Sequence, residues 1–190
     1  MCSRQPQQPP CARSFRRRGF SLIELLVTLA IATLVVSAVL VRFEAFDSVV
    51  VLKSIAYEIA LTLREAQVYA VSATGDTSGV FQSPYGVYFA AATPQDYTFF
   101  EDTNGNLTYD GGDSVIEVFT MNERYEISDL CTDSTCGRST VSVVFERPEF
   151  DANITPVADE ATIELSLVDD PSTTFQVIVG LTGQISVISP

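Results

Sequence analysis

The sequence predicts an α+β protein, a long N-terminal helix packed on an antiparallel β-sheet head. Three observations carry this. Phe20 to Val41 is an apolar run interrupted only by Glu24 and four small hydroxyl residues, Ser21, Thr28, Thr33 and Ser37. No glycine or proline occurs between Phe20 and Thr74, so nothing forces a helix to stop where the apolar run ends. Beyond Gly75 the helical period gives way to short β-rich runs separated by turn residues.

Residues 1–19 come first in the chain. They are rich in Pro, Gln and Arg and have no core-forming pattern. Arg4, Arg13, Arg16, Arg17 and Arg18 fall here with no acid, whereas the chain after Gly19 holds 24 acids and six bases, a net charge of −18. Basic flanks stay on the cytoplasmic side, which sets the orientation as N-terminus in and head out. Residues 20–41 form the transmembrane half of the helix, since twenty-two residues at about 1.5 Å each span a bilayer core of about 30 Å. A secretory signal peptide has a shorter core followed by a small-residue cleavage site, and Leu40-Val41-Arg42-Phe43-Glu44 offers none. An uncleaved signal anchor accounts for the run and the arginines, but not for Glu24.

Residues 42–72 form the amphipathic half. Val49, Leu52, Ala56, Ile59, Leu63, Ala66 and Ala70 recur at intervals of three and four, while Lys53, Glu58, Arg64 and Glu65 fall off that stripe. A helix ending near Ser72, with Gly75 as its stop, is on the order of 80 Å long. Residues 73–190 form the head. Seven strands are expected there: 86–90, 97–100, 115–119, 141–145, 163–168, 175–179 and 184–188, with Val179 to Gln184 closing the last two as a tight hairpin.

The junction itself reads Arg17-Arg18-Gly19-Phe20-Ser21-Leu22-Ile23-Glu24-Leu25-Leu26-Val27. A carboxylate inside hydrocarbon costs roughly 2.5–3.5 kcal/mol on insertion scales, so Glu24 marks a functional position. Together these residues resemble the processing signal of type IV prepilins and type II secretion pseudopilins. The resemblance implies cleavage between Gly19 and Phe20 by a prepilin peptidase, methylation of the new Phe20 amine, and a role for Glu24 in assembly with other pilin or pseudopilin subunits. It implies a single-pass protein of a bacterial cytoplasmic membrane that passes into a pilus or pseudopilus. Two segments resemble the GspH/FimT minor-pilin branch: Leu61-Thr62-Leu63-Arg64-Glu65-Ala66-Gln67-Val68, and the closing Gly183-Gln184-Ile185-Ser186-Val187.

Other chemistry is bounded by composition. Histidine and tryptophan are absent, which removes the commonest general base and metal ligand. No nucleophile–base constellation or glycine-rich phosphate loop is present, so the protein reads as a structural subunit and not an enzyme. The acidic head lacks the basic footprint of direct nucleic-acid binding. A filament-borne adhesin on a pilin-type stem is the alternative. Cys2 and Cys11 lie in the leader; Cys131 and Cys136, in the exported head, read either as an oxidised pair worth roughly 2 kcal/mol by chain entropy or as two free thiols.

From Asp102, oxygen-bearing residues recur at positions 1, 3, 5, 7, 9 and 12: Asp102, Asn104, Asn106, Thr108, Asp110 and Asp113. That is the ligand spacing of an EF-hand-type Ca²⁺ loop, with Thr108 offering its backbone carbonyl. Leu107 stands where the turn glycine belongs, and Asp113 replaces the terminal Glu, as in the dockerin-type variant. The other reading is a solvated hairpin loop built on Asn-Gly and Asp-Gly turns. No cofactor is required, and Ca²⁺ at this loop is the one candidate. Asn106-Leu107-Thr108 and Asn153-Ile154-Thr155 both match a glycosylation sequon, which carries no weight given the bacterial source that the resemblance implies.

Overall fold

Helix α1, Leu22–Val71, is the first element of the computed structural model, which describes residues 19–72, 83–148 and 150–189, without the side chains of 41–47. The leader with Cys2 and Cys11, and the proposed stop at Gly75, lie outside the described residues. The chain divides into two units, Met1–Phe43 and Glu44–Pro190. In the first, Leu22–Leu40 is long and apolar enough to cross a membrane, and none of it is buried. Hydroxyls that would otherwise be stranded there bond back to helix carbonyls: Thr28 to Leu25, Thr33 to Ala30 and Ser37 to Thr33.

In the second unit, α1 turns its apolar stripe inward. Leu52, Ala56, Ile59, Leu63, Ala66 and Ala70 are all buried, whereas Val49 is 37% exposed. Lys53, Glu58, Arg64 and Glu65 face out. The last turn of α1 carries no basic residue of its own. Arg147 supplies the charge from across the fold, donating from Nε to the Ala70 carbonyl (3.2 Å) and from Nη2 to the Val71 carbonyl (2.7 Å). A cation there satisfies free carbonyls and opposes the helix dipole.

Nine strands follow among the described residues: β1 Tyr85–Ala90, β2 Asp96–Glu101, β3 Ser114–Thr120, β4 Tyr125–Thr132, β5 Thr140–Phe145, β6 Ala152–Thr155, β7 Glu160–Leu167, β8 Thr174–Gly180 and β9 Ile185–Ile188. They form two antiparallel sheets, β3-β2-β1-β5-β6 and β4-β7-β8-β9. The fold is thus α+β, with two strands, β4 and β6, beyond the seven expected. One continuous core joins the α1 stripe to Val87, Phe89 and Phe99 of the first sheet and Ile163, Leu165 and Val177 of the second. Tyr69 of α1 meets Tyr85 and Phe99 with ring centroids 5.5 and 5.6 Å apart.

The outer face of the first sheet has a smaller cluster of its own. Phe100 is fully buried there beneath Tyr109, which also contacts Tyr88 (4.6 Å). Gly86 makes room for it: a Cβ at that position would sit 2.7 Å from the Val143 carbonyl and 3.0 Å from the Phe100 ring. The segment from Asp102 to Asp113 is therefore a strap across a sheet face.

Candidate functional site

The N-terminal site is built from helix-end chemistry. Gly19 and Phe20 precede the helix and are exposed, and Phe20 is 79% accessible. Nothing lies within 4 Å of a Cβ built on Gly19, so no internal packing demands glycine there. The Leu25 amide donates to the Ser21 carbonyl (3.1 Å), which makes Ser21 the N-cap and Glu24 the third helical residue. Ser-x-x-Glu at this place has the spacing of a capping box, and a carboxylate in the first turn suits the positive end of the helix dipole. The same carboxylate thus has a local helix-end role beside the assembly role that the resemblance implies.

The head loop is organised around its acids. Asp102 is 1% exposed, and its carboxylate accepts three backbone amides: Asn104 (3.2 Å) and Gly105 (2.7 Å) at Oδ1, Leu107 (2.7 Å) at Oδ2. Asn104 Oδ1 accepts from the Asn106 amide and Asn106 Oδ1 from the Thr108 amide. Both Asn side chains then donate to Asp110 Oδ2, at 3.1 and 2.6 Å. Asp113 accepts from the amides of Thr103 (3.3 Å) and Asp110 (2.8 Å), closing the ring. The Gly112 amide, with Asn104 and Asn106, holds the Asp110 carboxyl below its usual range.

Leu107 adopts φ 60°, the left-handed backbone that a turn glycine would supply. The six positions read as calcium ligands thus share one loop. Its three carboxylates do not converge as a metal cluster in this arrangement; each is bound by N–H donors. The tight group of potential ligands among the described residues lies elsewhere, at Asp129, Cys131 and Cys136. Those two sulfurs form a disulfide in this structure, the oxidised pair of the two readings, and so are not free ligands. The bridge closes a turn in which Thr132 and Thr135 exchange backbone hydrogen bonds. Asp129 accepts the Gly137 amide (2.8 Å) beside it.

The two segments set apart in the sequence, the end of α1 and the last hairpin, meet. Arg64 Nη2 donates to the Ile185 carbonyl (3.3 Å), and Gln67 Nε2 donates to the carbonyls of Gly183 (3.2 Å) and Phe150 (3.1 Å).

A family model described as the prokaryotic N-terminal methylation motif matches residues 14–40. The chain carries a type IV prepilin or pseudopilin signal, located over the leader junction and the lipid-compatible part of α1. Comparisons with curated proteins and with solved structures find no match.

Proposed function

We propose that this chain is a structural subunit, a minor pilin or pseudopilin, of a type IV pilus-like or type II secretion filament. The observation that carries the reading is the methylation motif over residues 14–40, ending in a helix whose first turn holds one carboxylate in an apolar run. A prepilin peptidase cuts between Gly19 and Phe20 on the cytoplasmic side, where the arginines hold the leader, and the Phe20 amine is methylated. The open space around Gly19 supports this, because the glycine then serves the peptidase and not the fold. The cut leaves a positive amine four residues from Glu24. In a filament core of packed helices one carboxylate per subunit neutralises one amine, its own or a neighbour's, which offsets the desolvation of both and favours one axial stagger. Contact between the end of α1 and the closing hairpin supports the GspH/FimT branch, since both resembling segments take part in one packing unit.

Intact-mass spectrometry of protein from its native membrane tests the processing; the expected species lacks residues 1–19 and carries one added methyl. A full-length species promotes the uncleaved anchor. Glu24→Gln keeps a side chain able to cap the helix, whereas Glu24→Leu does not. Pairing with an amine predicts that both variants insert and neither enters filaments. If the Gln variant assembles normally, capping alone is the role of Glu24.

The same reading places Ca²⁺ in the head loop, on the side-chain oxygens of Asp102, Asn104, Asn106, Asp110 and Asp113 and the Thr108 carbonyl. Its support is the left-handed backbone at Leu107, which removes the objection raised by the missing glycine.

A further inference from the structure

The edge strand β3 stands apart from every other strand end of the two sheets. Among the described residues strand β3 pairs only with β2, and one side of its backbone has no ladder partner there. None of its seven residues is buried, and Val115, Ile116 and Val118 are 45%, 44% and 53% exposed. The remaining edges are blunted. Strands β6 and β9 have four residues each. Strand β4 is interrupted by a register shift between Ile127 and Asp129 and buries five of its eight residues. Proteins guard a free edge with charge, proline, a bulge or a short length; β3 carries one carboxylate, Glu117, and the register shift opposite Phe99 and Phe100, but it is seven residues long, has no buried residue and lacks lysine and proline.

Register gives the edge two distinct faces. Val118 lies opposite Thr98, and Val115 lies opposite Phe100, on the outer face that Tyr109 partly covers. Glu117 lies opposite Phe99 and Phe119 opposite Tyr97, on the α1 side. The shift between Phe99 and Phe100 leaves Ile116 without a partner in β2. Glu117 is the charge on β3 itself, and the stretch from Tyr85 to Glu123 that carries the strand has seven acids and no lysine or arginine. A second copy of this strand would therefore bring acid against acid, which like-charge pairing across strands disfavours.

We propose that β3 is a strand-addition site for an extended segment of another protein, apolar on one face and basic on the other. The backbone of the added strand completes the β3 ladder, apolar side chains lie beside Val115 and Val118, and lysine or arginine side chains lie beside Glu117. Main-chain hydrogen bonds supply affinity in this mode, and the alternating side chains supply selection. This goes beyond the filament-subunit role and does not depend on it.

The test uses the full-length protein in an uncharged detergent and a labelled nine-residue peptide of alternating valine and lysine. Saturable binding by fluorescence anisotropy is expected, with slower amide exchange at residues 115–119. An otherwise identical peptide methylated on alternate backbone nitrogens, and one with glutamate for lysine, should each bind at least about tenfold more weakly. Val118→Lys, or Ile116→Lys if that variant folds poorly, should weaken the lysine peptide to a similar degree at an unchanged melting temperature. Failure of the lysine peptide to saturate, equal binding of the methylated peptide, or unaltered binding by the lysine variants would each overturn the proposal. Dimerisation of the free protein that Val118→Lys abolishes would assign the edge to a second copy and overturn it as well.

Discussion

Two residues in the head are constrained tightly enough to give sharp outcomes. Gly183 has φ 73°, and a Cβ there would lie 1.9 Å from the Phe150 carbonyl oxygen and 2.6 Å from Gln67 Nε2. Gln67 can swing away, but the backbone oxygen cannot, and the left-handed conformation costs a further 1–2 kcal/mol or so in an L-residue. Gly183→Ala should lose on the order of 4 kcal/mol, read by urea unfolding, whereas Gly19→Ala should leave the melting temperature unchanged and block only the processing cut. Tyr97 is the second case. Its hydroxyl is buried and makes no hydrogen bond; the neighbouring Thr62 hydroxyl donates instead to the Glu58 carbonyl (3.1 Å). Burial, helped by Glu58 and Glu117 and opposed by Thr62, pushes the phenol up to about 12. The unfolded chain releases that proton near 10, so between about 10 and 12 the folded state binds more protons and stability falls as pH rises. That slope is worth about 2 kcal/mol across the window and should vanish in Tyr97→Phe, which also removes an unsatisfied buried hydroxyl and should be neutral or stabilising at pH 7. An alkaline slope that survives in the Phe variant would place the titration elsewhere.

At the scale of elements, the helix and most strands were legible because their periods are unbroken. The stripe from Leu52 to Ala70 keeps one face over five turns, and Ile163, Leu165 and Leu167 alternate with polar residues without a slip. Val49 departs because the stripe, extended to that position, leaves the buried face. Strand β4 was missed because its bulge at Ser128 breaks the alternation just where Asp129, Cys131 and Thr132 look like turn residues. Strand β6 is four residues, Ala-Asn-Ile-Thr, too short and too polar to register. The Arg147 cap and the Gln67 bridges join residues 76 or more positions apart, so no local pattern could announce them. The loop at 102–113 was legible as spacing, but its strap-like seat on Phe100 was not. That seat makes calcium testable through stability, because metal that binds only the folded loop stabilises the head by mass action. The head should melt higher in several millimolar Ca²⁺ than in chelator at matched ionic strength, and Asp110→Ala should erase the difference. Asp102 is the poorer probe, since it is buried with three backbone amides that would lose their acceptor. Asp110 is half-buried and its carboxyl is held low, so whatever it contributes is present above the ordinary carboxylate range and is lost as pH falls through its folded value. Calcium protection should accordingly fade in acid, while equal melting with and without metal at neutral pH would leave the solvated loop alone.

At the scale of the whole molecule, core and charge are distributed in ways that make the second unit separable and electrostatically strained. Every residue of the continuous core lies at or beyond Leu52, and the only disulfide among the described residues joins Cys131 to Cys136 within the head. A chain beginning at Glu44 therefore keeps the complete core and should fold as a soluble, cooperative unit without residues 1–43. That chain retains five bases, Lys53, Arg64, Arg124, Arg138 and Arg147, against 23 acids. Two of the bases are already committed to carbonyls, Arg64 to Ile185 and Arg147 to the end of α1, and Arg138 donates to the Thr132 hydroxyl. Five cations cannot balance 23 acids wherever they bond, and a compact state with so large a net charge repels itself. Salt screens this: at 0.1 M the Debye length is about 10 Å, and at 1 M about 3 Å, so like charges spread over a small domain decouple across that range. The melting temperature of the 44–190 chain should rise steadily from low salt to several hundred millimolar NaCl, by a few degrees for each kcal/mol of repulsion removed. Sodium sulfate cannot serve here, because it strengthens apolar burial as well as screening. A melting temperature that falls with NaCl would mean that attractive pairs outweigh the repulsion, and the picture of an acidic head held together against its own charge would be wrong.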